Sequence, residues 1–132
     1  MKKPPEHPLY KILLEQILYI EKELLEPIDN TEDVCVQQRL AKRTEMLGVT
    51  AKMLEFATII YEEAKGEMAE VVLDNDKILN AKQDIQRKYF EGKLAEHSAL
   101  WVRTERVVKS LDKSIEGLRS ISSFNKSTIN LR

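Results

Sequence analysis

The sequence predicts an all-α protein: an elongated helical bundle or coiled-coil hairpin of two long helices with a shorter N-terminal helix, assembled as an oligomer. Three observations carry this. Only four glycines and four prolines punctuate 132 residues, too few turn formers for a β-rich fold. Aromatic residues are 6% of the chain and charged ones 33%, with Leu, Ile, Ala, Glu, Lys and Arg abundant, as long helices require. Apolar residues also recur at steps of three and four, the period of a helix with one buried face.

A chain of this length makes one helical domain over residues 8–123, between a Pro-rich arm at 1–7 and a polar tail at 124–132. Pro4 and Pro5 keep the arm extended, and Pro8 suits a first helical turn, where its missing N–H is not needed. The first helix spans about residues 8–26, with Leu9, Ile12, Leu13, Gln16, Ile17, Ile20 and Leu24 at helical spacing. Leu14, Leu18 and Leu25 widen its stripe, and Pro27 stops it. Asp29, Asn30 and Thr31 then offer N-caps, followed by Glu32 and Asp33 where the helix dipole favours negative charge.

The second helix covers residues 31–73. Val36, Leu40, Arg43, Leu47, Thr50, Leu54, Ala57, Tyr61, Ala64 and Met68 alternate in steps of four and three. A mean period of about 3.5 is the mark of left-handed supercoiling against another helix. Val36, Leu40, Leu47, Leu54, Tyr61 and Met68 are therefore candidate oligomer-interface residues. Met46, Met53 and Ile60 lie one position earlier and broaden the stripe toward that of a bundle helix. Gly66 weakens the helix without ending it, and Asp74-Asn75-Asp76 is the expected break.

The third helix is expected over residues 76–123, its apolar side carried by Ile78, Ile85, Tyr89, Leu94, Trp101, Val108, Leu111, Ile115, Leu118 and Ile121. Unbroken, it would be roughly 70 Å long at about 1.5 Å per residue. Gly92 is the one place for a kink. Two such rods do not close a core between them, so another subunit is expected to cover their apolar faces. The expected partner is thus a second copy of the chain or a larger assembly.

The chemistry is sparse. A formal charge of −1 gives no global attraction to nucleic acid or membrane. The single cysteine, Cys35, excludes an internal disulfide and reads as a partly buried structural residue. His7 and His97 are far apart in sequence and lack metal-ligand spacing, so neither metal nor cofactor is expected. Glu62-Glu63 reads as a solvated face and Asp74-Asn75-Asp76 as a turn with a cap, not a calcium loop. No nucleophile–base pair points to an enzyme. No run reaches the roughly 20 apolar residues of a membrane span, and no leader pattern is present. A cytoplasmic protein is expected, in the host cytoplasm if viral.

Two basic groupings stand out. Arg39, Lys42 and Arg43 fall within one turn of the second helix. Arg106, Lys109 and Lys113 stand at i, i+3 and i+7 on the third, beside Arg103. From Arg103 to the C-terminus, seven Lys or Arg residues face only Glu105, Asp112 and Glu116. Such stripes attract phosphate backbones without reading bases. Trp101, Tyr89 and Phe90 could stack on unpaired bases. Equally, Trp101 keeps the seven-residue phase of Leu94 and Val108 and fits a bundle core, with Glu105 and Lys109 pairing on a solvent face.

Two segments carry a family likeness: Ile60-Tyr61-Glu62-Glu63-Ala64-Lys65-Gly66, and the run from Leu111 through Gly117, Ser120, Ser123 and Phe124 to Lys126. With length and helix order, they make the stretch from about Lys52 to Leu131 resemble the UvsY-type recombination mediators of tailed phages. The resemblance implies an all-helical, ring-forming protein that binds single-stranded DNA and helps load a recombinase. Lys52 and Lys65 are the nearest matches to the family's DNA-contact segment, which is more acidic here. Arg103, Arg106, Lys109, Lys113 and Trp101 are further DNA-binding candidates from charge and stacking. The alternative is a non-enzymatic structural or adaptor subunit of a viral or macromolecular assembly that binds no DNA.

Overall fold

The computed structural model describes residues 2–130. A short 3-10 turn at Pro4–Glu6 precedes five helices: α1 (Tyr10–Leu25), α2 (Asp33–Leu73), α3 (Asp76–Leu79), α4 (Gln83–Lys93) and α5 (Ala95–Asn130). There is no strand among the described residues. The chain is all-α, as composition and periodicity predict.

α2 and α5 form an antiparallel pair. Trp101 on α5 reaches Thr58 on α2, and Ser122 meets Gln37 near the opposite end. α1 lies in the groove beside them, antiparallel to α2, so that Glu23 meets Arg43 while His7, just ahead of α1, meets Glu63. The result is a three-helix bundle around Leu13, Ile17 and Ile20 of α1, Met46, Met53 and Ile60 of α2, and Leu100, Val107, Leu111 and Ile115 of α5. Two hydroxyls in this core satisfy themselves within their own helices: Thr104 Oγ1 donates to Leu100 O at 2.8 Å and Thr50 Oγ1 to Leu47 O at 2.8 Å.

α1 changes the expected packing. It supplies a third apolar face, so the long helices close a core within one chain, and the lack of such a core no longer demands a second subunit. It also rotates the buried faces. In α2 the deep column beside Val36, Arg43, Thr50 and Ala57 is Met46, Met53 and Ile60, whereas Leu47, Leu54 and Tyr61 are half-buried. In α5 the deep column is Leu100 and Val107, one residue ahead of Trp101 and Val108, which are half-buried. A helix that faces two neighbours needs a stripe wider than a two-stranded seam, and its deepest line points between them.

The expected third helix is three helices. The first break spans Asn80–Lys82, where Lys82 takes an extended backbone (φ −62°, ψ 151°), and the second is at Leu94. Gly92 lies inside α4 two residues before that second break. α4 is held by Tyr89 and Phe90, which pack on Ala64, Met68 and Leu94. At the other end α5 continues as helix to Asn130, beyond the tail expected from residue 124. α1 and α2 begin two residues inside their expected starts and end as expected, with Asp74 closing α2 and Asn75 capping α3 through Lys77 N at 3.1 Å.

Candidate functional site

The basic turn of α2 answers a single buried acid. Glu23 is 3% exposed on the inner face of α1. Lys42 Nζ lies 3.0 Å from its Oε2, Arg39 Nε 2.8 Å from its Oε1, and Arg43 Nε 3.4 Å from the same oxygen. Arg43, itself 5% exposed, also donates from Nη2 to the Glu23 carbonyl at 3.1 Å, closing the last turn of α1. Arg39 Nε is close but misaligned for a hydrogen bond, and acts on Glu23 as a charge. Burial pushes the Glu23 carboxyl up, but the Lys42 hydrogen bond, the Arg39 charge and the Arg43 hydrogen bond outweigh it and hold the pKa below the usual value. The same contact raises Lys42, first through the hydrogen bond it donates and then through the Glu23 charge. All three cations of this grouping are thus turned to one buried acid, Arg43 from inside the bundle and Lys42 from its surface.

The DNA-binding candidates spread over different faces. Arg103 is tied to α1, its Nη2 2.6 Å from Glu21 Oε1. Lys109 pairs with Glu105 at 2.6 Å on the same helix. Lys65 bridges to Glu62 at 3.2 Å and lies 4.2 Å from the centre of the Tyr61 ring. Lys52 is exposed, but stands roughly 140° from Lys65 around α2 at about 100° per residue. Trp101 packs on the core fringe with its indole N–H toward Thr58 Oγ1 at 3.4 Å, and is turned roughly 140° around α5 from Arg106. Arg106 and Lys113, one heptad apart on one side of α5, are exposed and make no ion pair among the described residues.

The interface candidates divide as well. Val36 and Met68 are buried by the chain's own helices, at 0% and 2% exposure, and present nothing to a second subunit. Leu40, Leu47, Leu54 and Tyr61 are half-buried, Leu40 and Leu47 packing on the main core and Tyr61 on the smaller cluster of Ala64, Met68 and Leu94. The larger apolar exposure is on the outer side of α1, where Leu18, Tyr19 and Leu25 are 50%, 55% and 85% exposed. Beside it a groove of about 530 Å³ runs between α1 and α5, floored by Leu24, Ala99, Val102 and Val107 with Arg103 and Arg106 on its rim.

A polar pocket joins residues that the sequence keeps apart. The arm folds back over α2 and α5, enclosing about 240 Å³ lined by His7, Glu63, Glu67 and His97. His97 Nε2 donates to Lys2 O at 3.0 Å, and Lys2 N donates to Glu67 Oε2 at 3.3 Å. His7 Nδ1 accepts from Leu9 N at 3.1 Å, which leaves Nε2 to donate to Glu63 Oε2 at 2.6 Å. His97 Nδ1 is buried without a partner. Among the described residues no three His, Cys, Asp or Glu side chains converge as a metal site requires. His7, Glu63, Glu67 and His97 Nε2 all serve to fasten the arm. Local sequence offers no sign of it, since its parts come from three distant segments.

No protein-family model, curated protein or solved structure matches the chain. No helix among the described residues is long and apolar enough to cross a membrane.

Proposed function

We propose that the chain is a non-enzymatic helical assembly subunit, acting in the cytoplasm or a virus's host cytoplasm, that engages its partner through the outer face of α1. The observation that supports this best is the exposure of Leu18, Tyr19 and Leu25 on one helix that otherwise packs tightly inward. Exposed apolar patches of this kind mark protein contacts, whereas single exposed residues do not. No cofactor is needed for such a role.

A second function is favoured by Arg106 and Lys113. Without an ion pair of their own and aligned on α5, they would let an oligomer hold single-stranded DNA by phosphate contacts and present it to a recombinase, the activity implied by the resemblance to the UvsY-type mediators. Light scattering with and without a single-stranded oligonucleotide, at low and high salt, separates the two. An assembly subunit keeps its mass when the oligonucleotide is added at either salt. A mediator takes it up at low salt and releases it at high salt, and Arg106→Glu with Lys113→Glu abolishes the uptake.

A further inference from the structure

The outer face of α1 is complementary to itself. It carries Lys11, Glu15 and Lys22, with Glu26 at the C-cap, together with Ile12, Leu18, Tyr19 and Leu25, all exposed. When a second α1 runs antiparallel with the two-fold axis between Leu18 and Tyr19, each of the four charges meets its opposite. Lys11 stands opposite Glu26 and Glu15 opposite Lys22 along the middle of the face, while Leu18 and Tyr19, about 100° apart around α1, each meet their own copy on either side of it. Two-fold symmetry repeats the charge matches, giving four ion pairs flanked by apolar contacts. Lys11, Glu15 and Lys22 make no ion pair within the chain among the described residues, and Glu26 only approaches Arg39 at 3.9 Å.

Competing registers lack this match. A parallel, in-register pair sets Lys11, Glu15, Lys22 and Glu26 each against its own like charge. An antiparallel pair slipped by four residues in one direction sets Lys11 against Lys22, and in the other Glu15 against Glu26. Like charges across an interface select against the wrong register.

We infer that the partner of this face is a second copy of the chain, docked α1 to antiparallel α1 about a two-fold axis between Leu18 and Tyr19. This rests on the assembly role proposed above and names its partner. A face one short helix long is at the small end of specific interfaces, so the dimer is expected to dissociate at micromolar concentrations.

Sedimentation equilibrium of the full chain from micromolar to millimolar concentration tests it. The wild type is expected to show a monomer–dimer equilibrium. Lys22→Glu faces Glu15 in both halves and is expected to weaken the dimer about tenfold or more, while adding Glu15→Lys restores it. Helix content by circular dichroism shows that both variants fold. In a Cys35→Ser background, Lys11→Cys with Glu26→Cys is expected to give an oxidised covalent dimer. The two thiols are roughly 22 Å apart along one helix and cannot join within a chain. A chain that stays monomeric throughout overturns the inference and leaves the assembly role to a partner of other sequence. A dimer indifferent to Lys22→Glu, or one that cross-links through Lys11→Cys alone, overturns it too, placing the contact on another face or in parallel. The assembly role fails on a different readout, the uptake of oligonucleotide.

Discussion

Glu23 interrupts the aliphatic stripe of Leu13, Ile17 and Ile20, and three cations from one turn of α2 gather around it. Only Arg43 among them is deeply buried, so Arg43 depends most on the carboxylate. Removing one member of a buried pair costs about 3–5 kcal/mol because the other charge stays uncompensated. Glu23→Gln is accordingly expected to lower the unfolding free energy by about 3 kcal/mol in urea titration, with Glu23→Leu plus Arg43→Met recovering most of the loss. The pH dependence has a definite sign. A carboxyl held below its unfolded pKa stabilises the native state above the ordinary carboxylate range, and that contribution disappears as pH falls through the native value. Stability measured down the acid limb should therefore fall less steeply in Glu23→Gln than in the wild type. Arg39, Lys42 and Arg43 look like a nucleic-acid stripe in sequence because their acid lies on another helix, out of reach of any local pattern.

Among the helices, α1 and α2 were legible because their stop signals are local: Pro27 ends one, and Asp74 and Asn75 end the other. The break at Asn80–Lys82 was not, since Ile78 and Ile85 keep heptad phase across it even though Ile85 ends up 57% exposed. Periodicity also located the apolar stripes, with Val36, Ala57, Met68, Leu111 and Ile115 buried as expected, but Leu47, Leu54, Tyr61, Trp101 and Val108 fall one residue off the deepest line, because that line depends on where α1 docks. The distinction is measurable. Met53 is fully buried and Leu54 only partly, so Met53→Ala is expected to cost about 2–5 kcal/mol and Leu54→Ala clearly less, the reverse of what a two-stranded seam predicts. Gly66 and Gly92 sit in helix with open space around the position of an added Cβ. Gly66→Ala and Gly92→Ala should each raise stability by about 0.5–1 kcal/mol, read as a higher melting temperature.

Across the whole molecule, stability is unevenly distributed. The middle of the bundle is three helices thick, and the Glu23 cluster and the His97-fastened arm both brace it. The tip has no such support: α3 and α4 contain no buried residue, and only Tyr89 and Phe90 moor them to the smaller cluster of Ala64, Met68 and Leu94. Segments with few buried contacts open locally at a fraction of the global free energy. Amide hydrogen exchange should therefore show the amides of α4 exchanging far faster than those of α2 around Met46 to Ile60, which are released only when the whole bundle unfolds. Glu23→Gln then provides an internal control. It lowers global stability, so it should speed exchange in the middle of α2 while leaving α4 unchanged. A uniform acceleration of both would mean that tip and bundle open as one unit and that the smaller cluster couples them more strongly than its size implies.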